Sequence, residues 1–539
     1  MLFYLVLLPV LFGVIEVLFK NKDTRIPILI AQIGLLGYAT FIFVQVRQSG
    51  PVIDLMSGLP EGIAIRLYAD ILSSSMVLLN VTIFTILLLF AYNKSYMTNK
   101  FLFLMLLLQG IVNSLFLSAD LFNLFVMLEV STVTVSILIM FKKDKQAIYD
   151  GMIYFFVNVI GTAFLLFGIG MLYDLTGMLD MHMIREVLGQ VSDPNTVILP
   201  FAFMMTTLSL KIAAVPLFSW LPKAHGTPSA PAVVSAALSG LYIKTGVYMF
   251  IRFTEMFSPL IDATNLFFII GFVTSIFGIV MAVAQTDMKM ILAYSTVSQV
   301  GLIIVGITLG SEVAFYGALF HMISHALFKT TLFLGAGQVA DRFGTRNINE
   351  IRGVYKKMPL TAIAIVLASL GIVGAPFFNG SISKYMIAAG SYHPYYQAAL
   401  HVINIGTIIY FINFVSILFG DEKKSEDKAA KTSHIVVDRF SEYVVLFLSI
   451  GMITTGLFAS GTLELLFDYA EFTLFSASYM EKNLVFIFTA IAGLGLYKIL
   501  SRQEVILGKY RHFEITFNGI ITSMVSFFLF IYSYVYLFI

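Results

Sequence analysis

Apolar stretches of about twenty residues follow one another along almost the whole chain, and their length constrains the fold more than any motif. A window of about 19 residues gives about sixteen candidate spans. Their bounds lie near 2–19, 26–46, 71–92, 98–117, 121–141, 151–173, 196–221, 229–251, 263–285, 290–309, 313–338, 359–390, 396–419, 440–459, 483–500 and 515–538. The runs are continuous, without the alternation of barrel strands. The sequence therefore predicts an all-α polytopic membrane protein.

The composition agrees with this class and excludes several kinds of site. The 539 residues are 59% hydrophobic and 12% charged, against about 25% charged in soluble domains. The net charge of +2 is uninformative, and no basic stretch indicates nucleic-acid binding. Without cysteine, disulfides, thiolate zinc sites and Cys-ligated iron–sulfur clusters are excluded, and no glycine-rich nucleotide motif occurs. We predict no cofactor, no metal and no redox or hydrolytic centre in this chain; membership of a redox-driven complex stays open.

Basic residues predict how the chain crosses the membrane. The first span has no basic segment before it and no small-residue cleavage site, so we expect it to be retained. Of the 33 Lys and Arg residues, 24 fall in loops after odd-numbered spans and five after even-numbered ones. The positive-inside rule then places the N-terminus outside. Segment 421–439 is predicted to be a solvated cytoplasmic linker, with a docking site as the alternative, and segments 47–70 and 460–481 to lie along the membrane face.

Five charged side chains lie well inside the apolar spans, more than three residues from either end, namely Glu129, Lys211, Lys244, Lys329 and Lys384. A charge at the bilayer centre costs about 2.5–3.5 kcal/mol on insertion scales. Five such groups indicate a hydrated or paired interior that moves charge. The sequence therefore favours an ion transporter.

Two of the lysines stand beside predicted helix breaks. Pro216 follows Lys211 by five residues, and Pro376 with Gly380 precedes Lys384. Broken helices at membrane depth occur where they line a cavity or are buried in protein, and paired breaks point to a conduction site. The breaks fall in spans 7 and 12, which predicts two inverted five-helix repeats, spans 4–8 and 9–13. The alternative is two ordinary proline kinks.

Glu129 is the one acid well inside a span, and we expect Lys211 to be its partner. A carboxylate beside a lysine stays ionised, and opening such a pair would release a proton. The pair would then act as a switch. The alternative is a structural ion pair, whose loss would also be costly.

In span 11, His321, His325 and Lys329 recur every four residues and share a helix face. A proton relay suits two histidines, while structural hydrogen bonding and a metal site are the alternatives. Lys244 in span 8 lies between this group and Lys211 in the scheme. Polar residues that could carry water are found in span 10, namely Ser295, Ser298 and Gln299.

At these motifs the chain resembles the antiporter-like subunits shared by respiratory complex I, membrane-bound hydrogenases and Mrp-type cation/proton antiporters. The matching segments are GLPEGIAIRLYADILSSSM, LFNLFVMLEV, KIAAVPLFSWLPKAHGTPSAPAVVSAALSGLYIKTGVY, LAYSTVSQVG, FHMISHALFKTTLFLGAG and FFNGSISKYM. LFNLFVMLEV is most like the D-type subunits of Mrp antiporters, whereas LPKAHGTPSAPAVVSAALSG and NGSISK are more like hydrogenase or complex I members. A lysine at 384 argues against the middle complex I subunit type.

The resemblance implies a fourteen-helix core, with two C-terminal spans beyond it. It implies that Glu129 and Lys211 form the coupling pair, that Lys244 bridges, and that Lys384 ends a half-channel to the outside. His321, His325 and Lys329 match the family's central hydrophilic axis. We expect four parts: N-terminal spans (1–97), two repeats (98–253 and 254–420), and a linker with C-terminal spans (421–539).

The favoured hypothesis is a proton-translocating antiporter-like subunit of a multisubunit complex that couples proton movement to a monovalent cation such as Na⁺. The alternative is a proton-pumping subunit of a membrane-bound hydrogenase or complex I-like oxidoreductase. A self-sufficient anion transporter and an inert membrane anchor are further alternatives. We expect other membrane subunits and the bilayer as partners, in the plasma membrane of a prokaryote.

Overall fold

The computed structural model describes residues 1–18, 24–56, 62–226, 230–391, 394–421, 438–500, 504–511 and 513–538. Most of the predicted linker 421–439 therefore lies outside the described residues. The elements up to the first third of the chain are α1 Phe3–Leu18, α2 Arg25–Ser49, β1 Val52–Met56, β2 Ile65–Ala69, α3 Ile71–Ala91, α4 Asn99–Leu117, α5 Leu121–Ile139 and α6 Lys145–Thr176. Next come α7 Met181–Leu188, α8 Asn195–Lys211, a 3₁₀ turn Leu217–Ser219, α9 Trp220–Gly226, α10 Ala232–Ala237, a π-helical turn Leu238–Tyr242 and α11 Ile243–Phe257.

The second half of the chain is also helical. Its elements are α12 Thr264–Ala284, α13 Met288–Thr308, α14 Glu312–Phe343, α15 Val354–Lys357, α16 Pro359–Val373, α17 Asn379–Ala389, α18 Pro394–Val415, a 3₁₀ turn Ser416–Leu418, α19 Arg439–Leu457, α20 Ala459–Phe467, α21 Ala477–Leu500, α22 Glu504–Arg511 and α23 Phe517–Phe538.

The helical membrane fold is confirmed. Within the described ranges, 12 helices are long and apolar enough to cross a membrane. The other four predicted spans correspond to the short α1, the 32-residue α14 and two spans that are each split into two helices, α8 with α9 and α16 with α17. The inverted repeats and the fourteen-helix core stay predictions.

The chain divides into two compact units, and the first comprises Met1–Ala230, Leu241–Leu266 and Ile515–Ile539. Side chains that precede a helix fix its start here: Asp70, Thr98 and Asp144 each accept a hydrogen bond from the backbone N–H three residues on. The last helix, α23, packs on α8, where the Phe528 ring stacks on Phe203 with centroids 4.5 Å apart. One C-terminal span therefore covers the helix that carries Lys211.

Segment 47–70 contains two paired strands, and its course along the membrane face stays a prediction. Strands β1 and β2 pair antiparallel, with Val52 opposite Ala69 and Met56 opposite Ile65. The strands are rich in Val, Ile, Leu and Tyr, which suits a half-buried hairpin. Next to it, Arg66 pairs with Asp180 at 3.2 Å, so the hairpin is tied to the start of α7.

The second unit comprises Pro231–Gly240 and Phe267–Glu514. The long helix α14 is at its centre and packs against α13, α16, α17 and α19. Asp287 precedes helix α13, and its carboxylate accepts from two backbone N–H groups and pairs with Arg346 at 2.7 Å. Burial raises the pKa of Asp287, and Arg346 opposes that rise. The charges at this helix start therefore lie outside the apolar span.

Candidate functional site

The first helix break follows Lys211, the last residue of α8. The chain turns through Ala213, whose φ is +55°, and becomes helical again at Leu217. Trp220 Nε1 donates to the Leu210 carbonyl at 2.7 Å and holds the two pieces together. Lys211 thus lies at a helix C-terminus, where the helix dipole favours a cation.

Lys211 is buried, with 3% of its surface exposed. Its Nζ donates to Asn158 Oδ1 at 2.9 Å and to Thr132 Oγ1 at 3.2 Å. Both acceptors are neutral and fully buried. The ammonium is therefore solvated by an amide and a hydroxyl.

Glu129 lies one turn before Thr132 on α5 and is partly buried. Its Oε1 accepts a hydrogen bond from Thr162 Oγ1, which lies one turn after Asn158 on α6. Among the described residues, no ion pair within 4.0 Å joins Glu129 to Lys211. Instead of a direct contact, Thr132 of α5 and Asn158 of α6 bind Lys211, and Thr162 of α6 binds Glu129.

Lys244 is 1% exposed and lies at the start of α11, directly after the π-helical turn. Single π-turns in helices are frequent at functional sites. Two residues on, Gly246 lets α11 approach the first break, because a Cβ there would lie 3.2 Å from Lys211 Cβ. The structure therefore brings the Lys244 helix against the Lys211 break.

Lys329 and His321 are fully buried on α14 in the second unit. Lys329 Nζ donates to the Leu292 carbonyl at 2.8 Å and to Ser295 Oγ. His321 Nε2 lies 3.0 Å from Gln299 Oε1. Helix α13 thus supplies partners for both groups, as the polar residues of span 10 led us to expect.

The other ring nitrogen of His321, Nδ1, lies 2.8 Å from the Oγ atom of Ser383, and Ser383 is the residue before Lys384. The His325 ring is buried with its centroid 6.5 Å from that of His321. In the part of the chain that the structure describes, no three His, Cys, Asp or Glu residues are grouped to hold a metal. A metal would also have to displace a hydrogen bond from His321. The arrangement suits proton transfer better, since each nitrogen of that ring already has a partner.

The second break separates α16 from α17, and its backbone is wound tightly. Gly374 has φ +84° and Phe377 has φ +67°. A Cβ at Gly380 would lie 2.0 Å from the Gly371 carbonyl oxygen, so only glycine allows the two halves to approach. Lys384 Nζ donates to the Ile372 carbonyl at 2.7 Å and to Asn404 Oδ1 at 2.8 Å. Like Lys211, this lysine stands beside a break and is held by neutral acceptors.

Comparison with known proteins identifies the family. The family described as "NADH:quinone oxidoreductase/Mrp antiporter, TM" matches residues 118–410, which include all seven predicted site residues. The chain belongs to this family. The resemblance inferred from the motifs is therefore confirmed.

Three members or structural neighbours illustrate its range. The N subunit of NADH-quinone oxidoreductase from Desulforudis audaxviator is 32% identical over 368 residues, 66% of this chain and 73% of the relative. The D subunit of the Na(+)/H(+) antiporter from Alkalihalophilus pseudofirmus is 29% identical over 438 residues, 79% of this chain and 88% of the relative. A chain of the Mrp complex from Dietzia sp. DQ12-45-1b superposes with a TM-score of 0.79 at 23% identity, over 90% of this chain and 99% of that one. These likenesses span Mrp antiporters and complex I.

Sequence reasoning missed the neutral partners of the lysines, Thr132, Asn158 and Asn404. It also missed Lys482, which the sequence pattern assigns to a loop. The structure puts Lys482 inside α21, because that helix begins at 477 and the predicted span at 483. One sequence signal could have found such partners. Residues three or four positions apart share a helix face, so a polar residue at that spacing from a charge or from another polar residue, such as Thr132 after Glu129, is a candidate.

Proposed function

We propose that this chain is a proton-translocating antiporter-like subunit of a multisubunit membrane complex, which couples proton movement to transport of a monovalent cation such as Na⁺. The observation that carries the proposal is the solvation of three lysines. Lys211, Lys329 and Lys384 are each hydrogen-bonded to neutral oxygen atoms, and within the described residues none has a carboxylate partner. A buried lysine without a counter-charge takes up and releases a proton readily.

Protons would pass along two polar series, one in each unit. In the first unit, Glu129, Thr162 and Asn158 adjoin Lys211, and Lys244 follows. In the second unit the proposed series begins at Lys329 and Ser295, continues through His321 and the residues that it contacts, and ends at Lys384. The contacts of His321 are Gln299 and Ser383. The step from Lys244 to Lys329 is taken from the resemblance to the family.

We also propose that the protein lies in the plasma membrane of a prokaryote with its N-terminus outside. The excess of Lys and Arg in loops after odd-numbered spans supports this orientation. Lys211 would then load from the cytoplasm and Lys384 would release outward. Partners would be other membrane subunits, since the structural neighbour with the TM-score of 0.79 is a chain of the Mrp complex.

A second candidate is the proton-pumping subunit of a hydrogenase or complex I-like oxidoreductase. The relative from Desulforudis audaxviator, the N subunit of NADH-quinone oxidoreductase, favours it. The two candidates share the proton path and differ in the energy source. Purifying the native complex separates them, because a nickel or iron–sulfur subunit would indicate a redox-driven pump and small membrane subunits alone an antiporter.

The proton path is tested in the intact complex reconstituted in liposomes, with a pH-sensitive dye inside and an imposed Na⁺ gradient. We expect Glu129→Gln and Lys211→Met to reduce proton flux at least about tenfold, because each removes a group whose charge drives transfer. Lys100→Met, at an exposed lysine at the start of α4, is the control and should transport normally. Normal flux in an assembled Lys211→Met complex would refute the proposal.

A further inference from the structure

The C-terminal helix α21 is attached to the second break by its first turns. Tyr479 is fully buried, and its hydroxyl accepts from the Phe377 N–H at 3.1 Å and donates to Ser381 Oγ at 3.2 Å. One residue earlier, Ser478 Oγ lies 2.6 Å from the Tyr385 hydroxyl. The start of α21 is thus hydrogen-bonded to α17 and to the backbone of the break.

One turn after Ser478, Lys482 reaches the same place as Lys384. The two lysines line a cavity of about 50 Å³ together with His401 and Asn404 of α18. That volume exceeds the roughly 10–15 Å³ needed for one water molecule. The lining residues include no aspartate or glutamate. The two lysines therefore share a small cavity that is large enough for water, and no aspartate or glutamate among the described residues lines it.

The surroundings of the two lysines differ. Lys482 Nζ lies 5.7 Å from the centroid of the Tyr385 ring, and an aromatic face favours the charged ammonium. Lys384 is bound to the Ile372 carbonyl and to Asn404, both neutral. When both lysines carry a proton, each disfavours the charge of the other. The charge of Lys482 therefore favours loss of the proton from Lys384.

We propose that Lys482 is a positioning residue for proton release: its positive charge, brought in by the additional helix α21, drives the proton off Lys384. The proposal rests on the proposed function, in which Lys384 is the last proton carrier. Besides Lys482, two titratable side chains on the described helices packed on α17 lie close to Lys384 or to its neighbour Ser383. They are His401 on α18, in the cavity wall, and His321 on α14, through Ser383.

The test is the pH profile of proton flux in the intact reconstituted complex. Lys482→Gln removes the charge, so Lys384 keeps its proton to higher pH. We expect the profile to move to higher pH by about one unit, equivalent to roughly tenfold slower release at a fixed pH. Lys482→Arg keeps the charge and should restore the wild-type profile. Lys498→Gln, at an exposed lysine near the other end of α21, should leave the profile unchanged.

The other outcomes separate the two proposals. If Lys384→Met abolishes flux while Lys482→Gln keeps the wild-type profile, the role of Lys482 is refuted and the proposed function stands. If Lys482→Arg is as impaired as Lys482→Gln, charge is not what Lys482 supplies, and the inference also fails. Normal flux in Lys384→Met would refute the proposed function itself.

Discussion

Asn158 offers the sharpest test of how Lys211 is loaded. Its amide oxygen is one of two acceptors of the buried ammonium, at 2.9 Å, and Thr132 is the other. Asn158→Leu keeps the size of the side chain and removes that acceptor. A hydrogen bond to a charged group contributes about 1.5–3 kcal/mol, which the protonated form of Lys211 would lose. About 1.4 kcal/mol corresponds to a tenfold change in an equilibrium constant. Protonation of Lys211 should therefore need a proton concentration that is higher by a factor of roughly ten or more.

The expected result is a pH profile of flux displaced to lower pH by about one unit or more. It is measured with the reconstituted complex over a series of pH values, with assembly checked by size-exclusion chromatography. The control is Asn80→Leu in the same unit. Asn80 is also fully buried, and its amide donates to Asn113 Oδ1 at 2.8 Å and to the Gln109 carbonyl at 3.2 Å. Asn80 is therefore a buried amide like Asn158, but its hydrogen-bond partners are neutral groups and do not include Lys211.

General destabilisation would lower the yield of both variants and leave both profiles in place. An assembled Asn158→Leu complex with the wild-type pH profile would therefore refute the reasoning. Equal displacement in Asn80→Leu would refute it as well, because the effect would then follow from any lost buried amide.

Two further predictions concern the ends and breaks of helices. Burial raises the pKa of Asp120, the residue before α5, from 3.8 to about 6, and the Asp180 carboxylate adds to the rise. Because folding raises this pKa, the stability of the wild-type protein falls as pH rises from about 4 to about 6. Asp120→Asn should therefore stabilise the protein by about 2 kcal/mol above pH 6 and not below pH 4, measured by thermal unfolding in detergent over a pH series. No gain in stability at pH 7 would contradict this prediction. Gly380→Ala should prevent stable assembly, since the added Cβ would lie 2.0 Å from the Gly371 carbonyl oxygen. The control is Gly451→Ala, whose Cβ would have nothing within 4 Å and which should assemble normally. Equal expression yields and thermal shifts for the two variants would contradict the close approach.

The breaks were predictable because their causes are local. Pro216 and Pro376 lack an N–H, and each stands near a lysine inside an apolar run. The structure ends α8 at Lys211 and α16 at Val373, close to those prolines. Burial of Lys211 and Lys329 follows from the same runs.

The partners of the lysines were not predictable, because their residue types are ambiguous. Thr132 and Thr134 lie on one helix, and both hydroxyls donate to the carbonyl four residues back. Of these two hydroxyls only that of Thr132 also accepts from Lys211, since packing of α5 and α8 against α6 decides which side of α5 faces the ammonium. The role of Lys482 was hidden for a similar reason: it stands at the edge of an apolar run, and the start of α21 depends on Tyr479 packing against the break.

The separation of Glu129 from Lys211 bears on how a switch between them would work. Removing one partner of a buried ion pair leaves an uncompensated charge and costs about 3–5 kcal/mol, so a pair in direct contact resists separation. With Thr162 on the carboxylate and Asn158 on the ammonium, movement of the proton exchanges hydrogen bonds instead, each with a net value of about 1–3 kcal/mol. The smaller cost suits the proposed function, in which Lys211 is loaded and emptied in every cycle. The neutral acceptors repeated at Lys384 extend the same argument to the release end of the proposed path.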